Sequence, residues 1–278
     1  MRLDRVGPLW VVGCGNMGGA LLKRWLACGL EADSVTVIDP APRDLPGEVS
    51  CVASMPETGD PPHVVLLAIK PQMVAEVADR LRPRLGSALV ISILAGVEIE
   101  TLHRLLAPRV VRAMPNTPAR IGQGTTVLCG GLADDRAIAD ALMTAVGAVH
   151  WIDDEHLFDA VTGVSGSGPA YVFRFIEALA AAGAAAGLPA ATASALALET
   201  VTGAAALAAR GEASPGELRA QVTSPNGTTA AGLAVLDGEG ALSALLEDTV
   251  AAAARRSREL ANAATPAVPG SAGDPSRG

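Results

Sequence analysis

The stretch Trp10-Val11-Val12-Gly13-Cys14-Gly15-Asn16-Met17-Gly18-Gly19 constrains this chain more than any other. A short apolar run stops at Gly13, and a helix-compatible segment, Ala20-Leu21-Leu22-Lys23-Arg24-Trp25-Leu26, begins just after it. Gly13, Gly15 and Gly18 have the G-x-G-x-x-G spacing. In that pattern the first glycine makes a tight turn, the second lets the backbone approach a pyrophosphate, and the third lets helix and strand pack closely. The helix start then offers N–H groups and a positive dipole end to phosphates. In a chain with 30 glycines the pattern alone is weak, so its surroundings decide.

A second β-branched run, Ser34-Val35-Thr36-Val37-Ile38, ends in Asp39, 21 positions after Gly18 (39 − 18). That is close to the spacing of an acid that binds an adenosine ribose. The alternative is a turn residue before Pro40. Strand, glycine turn, helix, strand and acid together favour dinucleotide binding.

The 278 residues are too many for one typical core and suit two domains. Half are hydrophobic but only 3% are aromatic, so Ala, Val and Leu must fill the cores. The net charge of −8, with no basic block, argues against nucleic acid or an anionic membrane surface as partner. Cys14, Cys28, Cys51 and Cys129 form no C-x-x-C pair and lie at no metal-ligand spacing from a His. No metal site is expected, and a reduced, cytoplasmic chain is the simplest reading. Met1-Arg2-Leu3-Asp4-Arg5 lacks an apolar signal core, and no run approaches the roughly 18 uninterrupted apolar residues of a membrane span.

Further along, apolar runs predict strands over 49–52, 63–69, 89–94, 110–114 and 125–129, with helices after Gln72 through about 81 and over 100–106. Near-continuous runs such as His63-Val64-Val65-Leu66-Leu67-Ala68-Ile69 suit strands buried on both faces of a parallel sheet. Alternation of this kind through about 150 means βαβ units and an open sheet whose ligands bind beyond the strands' carboxyl ends. Three such ends matter: Ala68-Ile69-Lys70-Pro71, Ser92-Ile93-Leu94-Ala95-Gly96 and Met114-Pro115-Asn116-Thr117-Pro118.

From about Asp159 alanine and leucine take over, and helices are expected over 169–186 (with Gly187 as C′), 190–209, briefly after the capping box Ser214-Pro215-Gly216-Glu217, and over 240–261. The domains are therefore 1–158 and 159–264, with 265–278 a disordered Pro/Gly/Ser tail. Two small-residue loops interrupt the helical half: Thr162-Gly163-Val164-Ser165-Gly166-Ser167-Gly168-Pro169 and Thr223-Ser224-Pro225-Asn226-Gly227-Thr228-Thr229. Both put hydroxyls and N–H groups near a helix start, which suits a carboxylate; ordinary interhelical turns are the alternative. Lysine occurs only at Lys23 and Lys70, and the four histidines avoid the glycine-rich loops. A site with a nucleotide and hydroxyls but no strong acid or base suits a substrate already carrying its proton, such as a cyclic iminium.

These stretches, with Ala68-Ile69-Lys70-Pro71-Gln72 and Asp159-Ala160-Val161 leading into the first loop and Ala170-Tyr171 following it, resemble pyrroline-5-carboxylate reductases over about residues 8–262. The resemblance implies an α/β fold, a Rossmann-like dinucleotide-binding domain followed by an all-α dimerisation domain. It implies reduction of 1-pyrroline-5-carboxylate to L-proline with NADPH or NADH. It implies a homodimer and admits a decamer of five dimers. By resemblance, Gly13, Cys14, Gly15, Asn16, Met17, Gly18, Ala68, Ile69, Lys70, Pro71, Leu94, Ala95 and Gly96 hold the cofactor beside Asp39. Asn116, Ser165, Gly166, Ser167, Gly168, Thr223, Ser224, Gly227 and Thr228 surround the substrate, and Thr229 is the catalytic hydroxyl. Two departures stand out. Asn226-Gly227 replaces the family's usual Gly-Gly, a change that Asn's tolerance of left-handed backbone accommodates. Asp39 stands where NADPH-using members often have Asn, Ser or Arg, which leaves the choice of nucleotide open, the more so because Arg43 is near enough to offset the acid. The alternatives are a related imine or hydroxyacid reductase and a non-catalytic nucleotide-binding protein.

Overall fold

The computed structural model describes residues 3, 6–42, 45–46, 48–106 and 108–264. Arg43, the tail 265–278 and most of the first five residues, on which expectations were placed, lie outside them. The backbone gathers into two compact units, one of residues up to 166 together with those from 253, the other of 167–252.

The first unit is built on one eight-stranded sheet of order β3-β2-β1-β4-β5-β6-β7-β8. Its strands are β1 (Leu9–Val12), β2 (Val35–Ile38), β3 (Ser50–Val52), β4 (Val64–Leu67), β5 (Leu89–Ser92), β6 (Val110–Met114), β7 (Gly124–Gly130) and β8 (Gly147–Trp151). Every neighbouring pair is parallel except β6 and β7. The link between those two is a few residues around a 3-10 turn at Thr117–Ile121, too short for the dozen or more residues of a parallel crossover. The central strands are apolar at every position because both faces are covered. On β1, Leu9 and Val11 enter one core and Trp10 and Val12 the other; Val64 and Leu66 part from Val65 and Leu67 on β4 in the same way.

Helices α1 (Asn16–Ala27), α2 (Val74–Leu81), α3 (Ile99–Leu105) and α4 (Ala133–Thr144) connect the strands. Trp25 on α1 is fully buried and donates its indole N–H to the Leu142 carbonyl at 2.7 Å, tying the first helix to the fourth. The first small-residue loop of the sequence is helical in the structure. Helix α5 (Phe158–Val161) runs into a π-helical turn, Thr162–Gly166. The composition changes at 159, yet the first unit extends to 166 because Phe158 is buried and Asn116 holds the Ser165 carbonyl.

The second unit contains α6 (Gly168–Ala185), α7 (Ala190–Ala209), α8 (Pro215–Gln221), α9 (Thr228–Leu236) and the first half of α10 (Ala241–Ala264). Gly187, at φ +102°, ends α6, as expected. The capping box is formed: Ser214 Oγ accepts the Glu217 N–H at 3.3 Å, and Glu217 accepts the Ser214 N–H at 2.8 Å. Those bonds, the backbone one foremost, hold the Glu217 carboxyl below its usual range. Little of this unit is buried within one chain. Phe173 is 60% and Val235 79% exposed, while Ala193 and Ala197 are its buried apolar residues among those described. Two stretches, Ala190–Ala209 and Thr228–Leu260, are long and apolar enough to cross a membrane on length and composition alone. The second is not one straight helix, because Glu239 breaks it at φ +55°. The final half of α10 belongs to the first unit, where Ala254 and Ser257 are buried and Arg258 approaches Asp159 at 3.8 Å.

Candidate active site

The strand order reverses beside β1, which has β2 on one side and β4 on the other. A crevice is expected beyond the carboxyl ends of strands at such a point. A cavity of about 410 Å³ lies there, lined by Gly13, Gly15, Asp39, Ala68, Ile69 and Lys70 among others. Six residues singled out in the sequence thus meet in one place.

The glycine turn explains its own composition. Gly13 has φ +91°, and a Cβ on it would stand 2.6 Å from the Ala68 carbonyl oxygen. A Cβ on Gly18 would run into the Gly13 carbonyl oxygen, so this glycine sets how closely α1 packs on the turn. Gly15 differs, since a Cβ there would meet nothing within 4 Å and the residue is exposed. Helix α1 starts at this open ground with no side-chain cap and no acidic residue in its first turn. Uncapped N–H groups, the positive end of the helix dipole and the Lys70 side chain in the cavity lining fit the pyrophosphate of a dinucleotide.

Asp39 closes β2 at the cavity, and its carboxylate already has protein partners. One oxygen accepts the Cys14 N–H at 2.6 Å, the other the Ala41 N–H at 2.8 Å. Cys14 itself is buried; burial, then the negative charge of Asp39, pushes its thiol pKa up. Of the remaining expected cofactor residues, Asn16 and Met17 begin α1, with Met17 against the sheet core, and Pro71 opens a 3-10 turn at Pro71–Met73. The Leu94-Ala95-Gly96 strand end is not in the lining of this cavity. Leu94 is buried in a core, Ala95 packs against the cluster around Phe158, and Gly96 lines a separate cavity with Arg112 and Glu155. Ala53, Met55, Glu76 and Arg80 are among the further residues that line the cleft without having been read from the sequence. The position of Ala53 and Met55, just past the end of β3, is the signal that points to them.

The expected substrate residues fall on both units. In the first, Asn116 is 8% exposed and donates its amide N–H to the Ser165 carbonyl at 3.2 Å, while its own oxygen accepts the Thr125 N–H at 2.8 Å. The Ser165 hydroxyl is shielded and has no partner among the described residues. Gly166 ends the π-helical turn. In the second unit, Ser167 and Gly168 open α6. The Ser224 carbonyl accepts the Gly227 N–H at 3.0 Å, and the turn so made runs through Asn226 in left-handed backbone at φ +60°. Thr223 bonds back to the Arg219 carbonyl at 2.6 Å, and Thr228 and Thr229 are the first two residues of α9.

A family model described as pyrroline-5-carboxylate reductase dimerisation matches residues 155–260, and one described as NADP oxidoreductase, coenzyme F420-dependent, matches 9–96. The pyrroline-5-carboxylate reductase of Synechocystis sp. is 44% identical over 262 residues, which is 91% of this chain and 97% of that one. The solved structure of a pyrroline-5-carboxylate reductase from Coxiella burnetii aligns with TM-score 0.83 at 33% identity, covering 92% of this chain and 99% of that one. The pyrroline carboxylate reductase of Plasmodium falciparum, solved with NADP bound, aligns with TM-score 0.82 at 27% identity, covering 93% and 99%.

Proposed function

The chain belongs to the pyrroline-5-carboxylate reductase family, and on that premise we propose that it reduces 1-pyrroline-5-carboxylate to L-proline with NAD(P)H, the last step of proline biosynthesis. The observation that carries this is identity of 42–44% to named reductases over nine-tenths of the chain, sheet unit and helical unit alike.

When bound, the reduced nicotinamide supplies the hydride. The turn of Gly13, Gly15 and Gly18 and the start of α1 bind the pyrophosphate, and Lys70 adds positive charge at the cleft. A hydride accepted at C5 of the substrate iminium would send the electron pair of the C=N bond to nitrogen and give a secondary amine, so this chain's residues would have no alkoxide to protonate. The helical unit need not supply a strong acid or base, consistent with its having no Lys or His. Ser224 and the N–H groups of its turn bind the carboxylate. Thr229, near the ring nitrogen, orients the substrate or relays a proton from water, because a hydroxyl is a poor acid near neutral pH.

The enzyme works as a homo-oligomer: the exposed Phe173, Phe175 and Leu198 of the helical unit are apolar surface that a partner copy covers. A dimer and, beyond it, a decamer of five dimers are the proposed assemblies. We place it in the cytoplasm, with neither membrane nor nucleic acid as partner, since the net charge is −8 and the longer of the two apolar helical stretches is broken at Glu239. Spectrophotometric oxidation of NADH and NADPH, with and without 1-pyrroline-5-carboxylate, tests the reading. Turnover that depends on the imine supports it. Absence of turnover with either nucleotide, in a folded protein that binds them, overturns it.

A further inference from the structure

Segment 155–166 is tied to strand β6 at both of its ends. At the first end, the Glu155 carboxylate accepts from the Arg112 guanidinium at 2.7 Å, and the same oxygen accepts the Ile99 N–H at 2.9 Å. The Arg112 side chain is 4% exposed and lies over the Phe158 ring, 4.4 Å from its centroid. Phe158 is in turn packed with Met114, two residues along β6. At the other end, Asn116, just past the strand, donates to the Ser165 carbonyl and accepts the Thr125 N–H. Arg112, Met114 and Asn116 are spaced by two, the period that keeps side chains on one face of a strand.

Energetics argue against reading the first attachment as ordinary stabilisation. Arg112 Nε is buried with no partner among the described residues. A buried ion pair with a polar atom left over is commonly matched or bettered by apolar side chains of similar volume. What the pair does supply is a fixed distance between β6, the start of α3 and the head of segment 155–166. The second attachment compensates for an irregularity: a π-helical turn departs from the regular ladder, and Asn116 gives the Ser165 carbonyl its donor. At the second fastening the turn carries Gly166 and the Ser165 hydroxyl, which has no partner among the described residues.

We infer that Arg112, Glu155 and Asn116 are positioning residues for substrate, which hold the turn Thr162–Gly166 in the geometry that binds 1-pyrroline-5-carboxylate. The inference rests on the proposed function and on the family resemblance by which Ser165 and Gly166 surround that substrate. Asn116 thereby acts through the Ser165 main chain.

The test compares Glu155→Ala, Glu155→Gln, Arg112→Lys and Asn116→Ala with wild type in the full chain. It measures KM and kcat for 1-pyrroline-5-carboxylate, the dinucleotide Kd by fluorescence titration, and the melting temperature. Glu155→Ala and Asn116→Ala raise KM for the imine roughly tenfold, the scale of one lost charge-assisted or buried hydrogen bond, and leave the dinucleotide Kd within about twofold. Glu155→Gln recovers most of the loss, because its amide oxygen still accepts from Ile99 and Arg112. Where Glu155→Ala does not fold, Arg112→Lys decides, with KM up about threefold at unchanged dinucleotide Kd. An unchanged KM in the folded variants overturns the inference. So does a KM that rises only in step with the dinucleotide Kd and a falling melting temperature, or a Glu155→Gln no better than Glu155→Ala. A wild-type chain that does not turn over the imine overturns the function itself, a result distinct from all of these.

Discussion

The acid that ends the second strand holds the turn that follows the first: Asp39 Oδ2 accepts the Cys14 N–H at 2.6 Å. A carboxylate bonded to a backbone N–H is a strong, short contact. Asp39 therefore serves the glycine turn whichever nucleotide is bound, and each of its oxygens keeps acceptor capacity for a ribose hydroxyl besides.

Asp39→Ser is expected to weaken NADH binding by about tenfold, through loss of both the turn contact and the ribose contact. NADPH binding falls less, because removing the acid also removes repulsion of the 2′-phosphate. Fluorescence titration with NADH, NADPH and 2′-deoxy-NADH separates the two roles. An unchanged NADPH-to-NADH ratio means that Asp39 does not read the ribose; an unaltered Kd for 2′-deoxy-NADH means that it does not hold the turn.

Thr229→Val keeps the shape of the side chain and removes its hydroxyl. Steady-state kinetics are expected to show kcat/KM down by at most about 10²-fold, below the upper range of acid–base catalysis. Thr229→Ala loses about as much, and the pH profile of both follows the substrate's imine. Wild-type kcat/KM in Thr229→Val returns the second hydroxyl loop to a plain interhelical turn.

Light scattering at low micromolar concentration is expected to show a multiple of 28.0 kDa. Phe173, 60% exposed on α6 in one chain, is the place to break it. Phe173→Glu puts a charge into the apolar surface proposed to pair with a partner copy, so the expected outcome is dissociation with loss of activity. A fully active wild-type monomer contradicts the assembly.

Cysteine chemistry reports on the turn. Cys28 and Cys51 are exposed, Cys14 and Cys129 buried. Iodoacetamide near pH 8 is expected to label the first two and spare the others, read by mass spectrometry. The sign of the pH effect follows from the raised Cys14 pKa. Above its ordinary value of 9.0 the unfolded chain loses the proton that the folded chain keeps, so Cys14 makes stability fall as pH rises.

The sequence was most legible where one residue type has one physical reason. Gly13 and Gly18 sit where a Cβ would strike a carbonyl oxygen, and the unbroken runs of β1 and β4 are covered on both faces. Asp39 was readable as a nucleotide residue, but its bond to Cys14 was not, because nothing in a spacing says which backbone N–H an acid will find. Strand β8, Gly147–Trp151, escaped notice because it is half exposed and carries no apolar run. The second small-residue loop reads as lying near a helix start, but no range for helix α9 follows from it, since Thr228-Thr229 reads as the tail of a turn. The Gly163-Val164-Ser165-Gly166 stretch reads as a loop and is helical, held by an asparagine 49 positions from Ser165. The Leu94-Ala95-Gly96 strand end was expected beside the nucleotide, whereas the structure divides it between a core and another cavity.

The chain leaves the sheet unit after 166 and rejoins it at 253, so its first unit is written in two instalments. During synthesis the sheet is finished long before the closing half of α10 exists. At roughly 5–20 residues per second, the ribosome needs on the order of ten seconds to bridge the interval. Until then Asp159 has no Arg258 beside it, and the surfaces that bury against Ala254 and Ser257 stay open. A nascent chain of this design forms its nucleotide cleft early and completes its first unit only once the stretch from 253 has been made.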